Sequence, residues 1–421
     1  MLVAQTFHEI IIKKVGSNGM KILQVYPYFF PAWDYGGVTR VAYNLSIALA
    51  DRKHTVLVYT TDALDKNQRY VPESNPVIHR GIEIYYFKNL SNFLTYKYKI
   101  PLPLLMPFFI KNQMKNFDII HLHGHRHFLS FVIYLFARKY QIPYVIQTHG
   151  DLPYAYQESG DVTNFFKRPL KILIDFLFGK KILKNAAKCI ALTKIESDQY
   201  SRMGVPENKI VIIPNGIDIS EYEMLPERGR FRKKYGIGSE EKVILYLGRL
   251  HERKGIDFLI NGFLKFQLQY KNTKLVIAGP DDGFQDILIK QVKKLKIGDI
   301  TIFTGPLSET EKLEAFVDAS VLVYPGILEI FGLVPLEALL CETPVIVSDD
   351  CGCGEIIKDA MCGYSIRYND VVGLSKMIRY VLEHPEANTK MTRAGRQYIK
   401  ERLTWENVVN QVEDMYIGCK Q

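Results

Sequence analysis

The chain has 421 residues, 47% apolar and 24% charged, which excludes wholesale disorder and a fibrous chain and leaves room for two or three domains with large cores. Lys and Arg number 54 against 45 Asp and Glu, a formal net charge of +9. That excess suits an anionic partner (a phosphorylated ligand, an acidic lipid surface or nucleic acid) without choosing among them.

Residues 1–19 precede the first clear strand and read as an extension or a misassigned start. Their apolar run is too short for a signal peptide, and no small-residue cleavage site follows. No stretch reaches the roughly 18 apolar residues of a membrane-spanning helix. Six cysteines in this length are not a disulfide scaffold. These features predict a cytoplasmic protein with reduced thiols.

From Met20 onward, β-like apolar runs alternate with segments of helical period, the pattern of α/β layers with parallel sheets. Strands are expected at Lys21–Tyr26, Thr55–Tyr59, Ile82–Phe87, Ile119–Leu122, Tyr144–Gln147, Lys188–Ala191 and Ile210–Ile213. A helix is expected over Val38–Ala50, launched by Gly36-Gly37, and another over Leu129–Lys139. Pro214-Asn215-Gly216-Ile217-Asp218 is turn chemistry and marks a domain boundary. The pattern then restarts. Strands are expected at Val243–Leu247, Lys274–Ala278, Ile300–Phe303, Val321–Tyr324 and Pro344–Ser348. Helices Ile256–Gln269, Phe284–Leu295, Ser308–Ala319 and Leu333–Cys341 fall between and beside them, and the remainder is mostly helical. The whole predicts two doubly wound Rossmann-like domains, 20–215 and 216–395, separated by a cleft, with 396–421 as a closing segment. Ligands of such sheets bind beyond the carboxyl ends of the strands.

Two motifs stand at such ends. In Glu329-Ile330-Phe331-Gly332-Leu333-Val334-Pro335-Leu336-Glu337, Gly332 permits close backbone approach and Pro335 suits a first helical turn. The open N–H groups of Gly332, Leu333 and Val334 would make an anion site, with Glu329 and Glu337 placed to accept hydrogen bonds from sugar hydroxyls. The bland reading is a solvent-facing loop Glu and a Glu favoured by the helix dipole. In Gly248-Arg249-Leu250-His251-Glu252-Arg253-Lys254-Gly255, the Arg249 fork and the Lys254 point charge suit a diphosphate. Their contribution would grow as a leaving diphosphate gains charge. An exposed basic loop is the ordinary alternative.

Together these motifs resemble glycosyltransferase family 4, the glycosyl transferases group 1 type, which are retaining enzymes of the GT-B fold. The resemblance runs from Met20 nearly to the end. It takes in K-I-L-Q-V-Y-P-Y-F-F-P with Gly36-Gly37, Thr148-His149-Gly150, the Pro214–Asp218 hinge, F-T-G-P-L-S at 303–308 and Leu403-Thr404-Trp405-Glu406-Asn407, which looks like the family's last helix crossing back onto the first domain.

The resemblance implies a nucleotide-diphosphate sugar as donor in the second domain. Arg249 and Lys254 would hold the diphosphate and Glu337 the ribose hydroxyls. Glu329, with the backbone of Phe331, Gly332, Leu333 and Val334, would hold the transferred sugar. Leu307, in the turn Gly305–Ser308, would lie against the base. From the first domain, Gly37 would approach the diphosphate and His149 would face the reacting sugar. It further implies front-face departure and attack with retention, a donor phosphate oxygen taking the acceptor proton, and Glu329 positioning the sugar without a covalent adduct. No Asp-x-Asp occurs, and neither a metal nor another cofactor is expected. The acceptor would be a glycan or a lipid-linked molecule of the cell surface. A GT-B sugar-nucleotide epimerase and a non-catalytic nucleotide-sugar-binding module are the competing readings. The intact Glu pair, Arg249, Lys254 and His149 weigh against both. A nucleic-acid partner is disfavoured, since no such motif appears.

His121, His123, His125 and His127 alternate and invite a metal reading, but Gly124 argues against one continuous strand. Cys351-Gly352-Cys353-Gly354 lacks the two separated ligand pairs of a structural zinc site and reads as buried free thiols at a helix start. Leu94–Lys115 and Phe165–Lys188 mix bases with bulky apolar residues. Peripheral contact with an anionic membrane and ordinary amphipathic helices with snorkelling lysines are equal readings there.

Overall fold

A computed structural model describes residues 19–65, 67–98, 100–111, 113–152, 172–327 and 329–420. Residues 1–18 of the expected extension and Lys167, Arg168 and Lys171 of the second basic segment lie outside the described residues. The chain divides into two compact units. One takes the residues up to Leu192, Glu196–Gly216 and Trp405–Gln421; the other takes Thr193–Ile195 and Ile217–Thr404.

The first unit is built on strands β1 (Lys21–Val25), β2 (Thr55–Thr61), β3 (Val77–His79), β4 (Ile82–Phe87), β5 (Ile119–His123), β6 (Tyr144–Gln147), β7 (Lys188–Ala191) and β8 (Ile210–Ile212). They form one sheet in the order β3-β4-β2-β1-β5-β6-β7-β8. All neighbours are parallel except the β3–β4 pair. The central strands are buried on both faces, as their continuous apolar runs require. Helices Gly37–Asp51 and Trp405–Lys420 cover one face, where Leu45, Leu49, Val409, Val412 and Tyr416 join Ile22, Val58 and Val145 in one core. Helix Phe128–Tyr140 packs Leu129, Ile133 and Ala137 on the other.

The second unit carries β9 (Lys242–Leu247), β10 (Thr273–Ala278), β11 (Thr301–Gly305), β12 (Val321–Tyr324), β13 (Val345–Ser348) and β14 (Tyr364–Ile366). Their order is β11-β10-β9-β12-β13-β14, all parallel. Both units are therefore doubly wound α/β layers.

The differences from the sequence reading are local. β3 and β14 were not expected, because three residues are too few to show a period. β5 runs through His123 and stops at Gly124, whose φ is +92°. Short helices Asn92–Tyr98 and Met106–Ile110 occupy the first mixed basic segment. Residues 396–402 end helix Pro385–Arg402 of the second unit, and a separate helix begins at Trp405. Among the described residues, no helix is long and apolar enough to cross a membrane.

Candidate active site

The second unit gathers its chemistry at the carboxyl ends of β9 and β12. Beyond β9, Gly248 leads into Arg249, whose carbonyl accepts a 3.0 Å hydrogen bond from the Tyr246 hydroxyl; the Arg249 side chain is exposed. The chain then makes one 3₁₀ turn, Glu252–Lys254, and leaves it at Gly255. Gly255 has φ +64°, and a Cβ there would lie 2.6 Å from the Pro325 carbonyl oxygen. That close approach places Lys254 beside the residues that follow β12. Its ammonium pairs with the Glu329 carboxylate and lies 3.5 Å from the Tyr324 hydroxyl. Tyr324 donates to Glu329 Oε2 at 3.1 Å and lies under the ammonium, with its ring centroid 5.7 Å from Nζ.

Glu329 is half-buried. Burial opposes its ionisation, but the Lys254 charge and hydrogen bond and the Tyr324 hydroxyl outweigh this and hold its carboxyl below the usual range. Tyr324 and Tyr246 move the other way: burial, then the Glu329 charge, pushes both phenols well above their ordinary value. A carboxylate thus faces the Lys254 ammonium.

Gly332, at φ +69°, precedes helix Leu333–Leu340. The amides of Leu333 and Val334 open the helix and point out of it, because the first turn lacks intrahelical acceptors. Ile330 and Phe331 are buried beneath this turn. Glu337 lies on the second turn, 3.5 Å from Lys312 Nζ. Lys312 also pairs with Glu309 at 2.8 Å. Leu307 is half-buried just after Gly305, where φ is +72°. An anion at the amides of Leu333 and Val334 would meet Lys254, with Glu329 on one side and Glu337 further along the helix. Such an arrangement can bind a phosphorylated ligand and accept hydrogen bonds from its hydroxyls.

The two remaining sequence candidates stand at carboxyl ends of the first unit's sheet. Gly37 opens helix Gly37–Asp51, and a Cβ on it would touch nothing within 4 Å. His149 follows β6 at φ +51°, between Thr148 and Gly150. A buried carboxylate, Glu196, holds this loop: it accepts from Thr148 Oγ1 at 2.9 Å, the Gly150 amide at 2.7 Å and the Leu192 amide at 2.8 Å. His149 Nε2 lies 2.9 Å from His123 Nδ1, and His123 Nε2 lies 2.8 Å from Gln24 Oε1. Burial lowers the His149 pKa to about 3, so the ring is neutral at physiological pH.

The structure therefore brings Lys254, Glu329 and Gly332 into contact and places Arg249, Leu307 and Glu337 at the rim of the same sheet. Gly37 and His149 belong to the other unit. Four participants escaped sequence reasoning. Tyr324 and Tyr246 looked like strand residues, and Lys312 like a helix-surface lysine. The fourth is Gly352, whose amide donates to the Glu329 carbonyl at 2.6 Å and whose Cβ would fall 1.7 Å from the Ile330 carbonyl oxygen. A glycine-rich turn after a strand was the available signal.

The alternating histidines have separate partners. His121 bonds the Tyr416 hydroxyl through Nδ1 at 2.7 Å, His125 faces Asp175 at 3.2 Å, and His127 lies edge-on to Tyr26. Among the described residues, no group of three or more His, Cys, Asp or Glu is arranged to hold a metal ion.

Comparison with known proteins covers both units. Residues 35–221 match the family model described as Glycosyltransferase Family 4, and residues 227–398 match Glycosyl transferases group 1. The chain is 28% identical to the glycogen synthase of Mycobacterium tuberculosis over 418 residues, covering 96% of this chain and 95% of that protein. Its fold is similar to that of Anabaena Alr3699/HepE in complex with UDP, with TM-score 0.72, 17% identity and coverage of 95% and 100%. It is also similar to WaaG, a glycosyltransferase involved in lipopolysaccharide biosynthesis, with TM-score 0.67, 19% identity and coverage of 94% and 100%.

Proposed function

Because the chain belongs to glycosyltransferase family 4 and has the GT-B fold, we propose that it moves a sugar, with retention of configuration, from a nucleotide-diphosphate sugar to a glycan or lipid-linked acceptor of the cell surface. The observation that carries this reading is the Lys254–Glu329–Tyr324 cluster against the Gly332 helix start. Lys254, with Arg249 and the amides of Leu333 and Val334, binds the diphosphate and stabilises the charge that it gains on leaving. Glu329 and the backbone of Phe331 to Val334 hold the transferred sugar, Glu337 the ribose, and Leu307 the base. By the family resemblance alone, Gly37 would approach the diphosphate and His149 would face the reacting sugar. A donor phosphate oxygen takes the acceptor proton, so neither a protein nucleophile nor a metal enters the reaction. A neighbour in complex with UDP and a glycogen synthase relative support a nucleotide-sugar donor.

A thermal-shift series with UDP, GDP and ADP sugars tests the donor site, since a ligand bound to the native state raises apparent stability. At least one should raise the midpoint; no shift with any of them would remove the reading. Donor incubated alone should not epimerise, and turnover with a competent acceptor should persist in excess chelator.

The first unit also supports peripheral membrane contact. Leu105, Phe108, Phe176 and Leu177 are 52–80% exposed, with Lys111, Lys115, Lys180 and Lys181 on the same segments. Exposed apolar residues bordered by lysines suit an anionic surface. The protein should co-sediment with anionic vesicles at low salt and release at high salt. Equal binding to neutral vesicles would exclude this.

A further inference from the structure

Beneath the acidic loop lie two thiols that the proposed reaction does not use. Cys351 immediately precedes helix Gly352–Asp359 and Cys353 sits in its first turn. Both are buried, and their Sγ atoms are 3.2 Å apart. A disulfide needs about 2.05 Å, so closing the pair requires only about 1.2 Å of sulfur movement. The two thiols are not equivalent. The Cys353 hydrogen bond lowers the Cys351 pKa against the opposing effect of burial, and the Gly354 amide at the helix start adds to it. The same hydrogen bond and burial push Cys353 up. The Cys351 thiol also donates to the Ser348 carbonyl at 2.9 Å, so the two sulfurs have different hydrogen-bond partners.

The pair is also coupled to the acidic loop by backbone contacts. Cys353 Sγ lies 3.0 Å from where a Gly332 Cβ would stand, and Gly352 is bonded to Glu329 and packed on the Ile330 carbonyl. Movement of 351–353 cannot leave 329–332 in place.

We propose that Cys351 and Cys353 are a reversible redox-modification site that a peroxide closes to a disulfide, and that closure prevents donor binding by displacing the Glu329–Gly332 loop. Cys351 thiolate attacks one peroxide oxygen, the O–O bond breaks, and with a proton the leaving oxygen departs as water. Cys353 sulfur then attacks the resulting sulfenic sulfur; the S–S bond forms, and the sulfenic hydroxyl leaves with the Cys353 proton as a second water. Two thiols are oxidised by two electrons in all and one peroxide is reduced. An added dithiol reverses the step by exchange.

The donor half of this inference rests on the proposed function; the thiol half does not. The test treats the full-length protein with hydrogen peroxide, quenches it, and measures intact mass, the linked peptide and the donor-induced thermal shift. Native protein should lose two hydrogens in mass, with the link at 351–353, and should lose its donor shift until dithiothreitol is added. Cys351→Ala should keep its mass and its donor shift, and Cys353→Ala should gain oxygen at Cys351 and lose no hydrogens to a link, whereas Cys419→Ala should behave as native. An unchanged native mass, or a link elsewhere, overturns the site. A full donor shift in the disulfide form overturns the regulation. Absence of the shift in reduced protein overturns the donor reading, with the thiol site still decided by mass.

Discussion

Lys254 carries two demands at once. Its ammonium is shared with Glu329 and lies over the Tyr324 ring; under the proposed function it would also meet a diphosphate. A half-buried ion pair of this kind contributes little net stability, because desolvation offsets attraction. Its value lies in holding both charges in place before the substrate arrives. Under the proposed function, Glu329→Gln would remove the charge that acts on the transferred sugar and leave the cations. Turnover should fall about 10²–10³-fold while donor affinity changes much less. Lys254→Ala should weaken both donor affinity and turnover. Steady-state kinetics with a donor titration separates these outcomes, and unaltered constants in both variants would refute the site.

At the scale of elements, glycines decide how closely the loops at the strand ends approach. Gly279 sits where a Cβ would lie 1.9 Å from the Gly248 carbonyl oxygen, so the turns after β9 and β10 touch backbone to backbone. Gly352 does the same for the acidic loop and the helix that follows β13. Gly352→Ala cannot be accommodated without moving the Ile330 carbonyl, so the thermal midpoint and the donor shift should both fall. Gly37 is the useful contrast. Alanine there meets nothing within 4 Å and is a better helix former by roughly 1 kcal/mol. Gly37→Ala should therefore keep or raise the midpoint while reducing turnover, if the open space serves the diphosphate. A variant with full activity would remove Gly37 from the site.

For the molecule as a whole, buried imidazoles in the first unit set a pH dependence. Burial first, then the neighbouring imidazole, lowers His121 to about 3; burial lowers His149 to about 3 and also depresses His123. The unfolded chain takes up these protons near the ordinary value of 6.5, so between about pH 6.5 and pH 3 it binds more protons than the fold. Stability should rise with pH across that window and be fully present above it, by a few kcal/mol each for His121 and His149. Denaturant midpoints measured through the window should climb, and His149→Asn should flatten part of the slope. A flat native profile would show that these rings are solvated.

The two parallel sheets, their helices and the restart after Pro214–Asp218 were readable from the chain, because burial on both faces writes a strand as an unbroken apolar run. The positions of Arg249, Lys254 and Glu329 beyond strand ends were readable too, because glycine-bounded loops there are where a doubly wound sheet exposes charge. Three-residue strands β3 and β14 left no period to read. Periodicity places His121 and His123 on one face but does not predict that Gln24 and Tyr416 complete their hydrogen bonds. It marks Tyr324 as core without showing its hydroxyl against Glu329. Pairings across residue separations of 5 to 392, such as Tyr324 with Glu329 and Gln24 with Tyr416, arise only when strands and loops pack. Sequence therefore determined which groups stand at the sheet ends, since local pattern specifies elements. Tertiary packing alone decided which of them touch, since contact depends on how those elements approach.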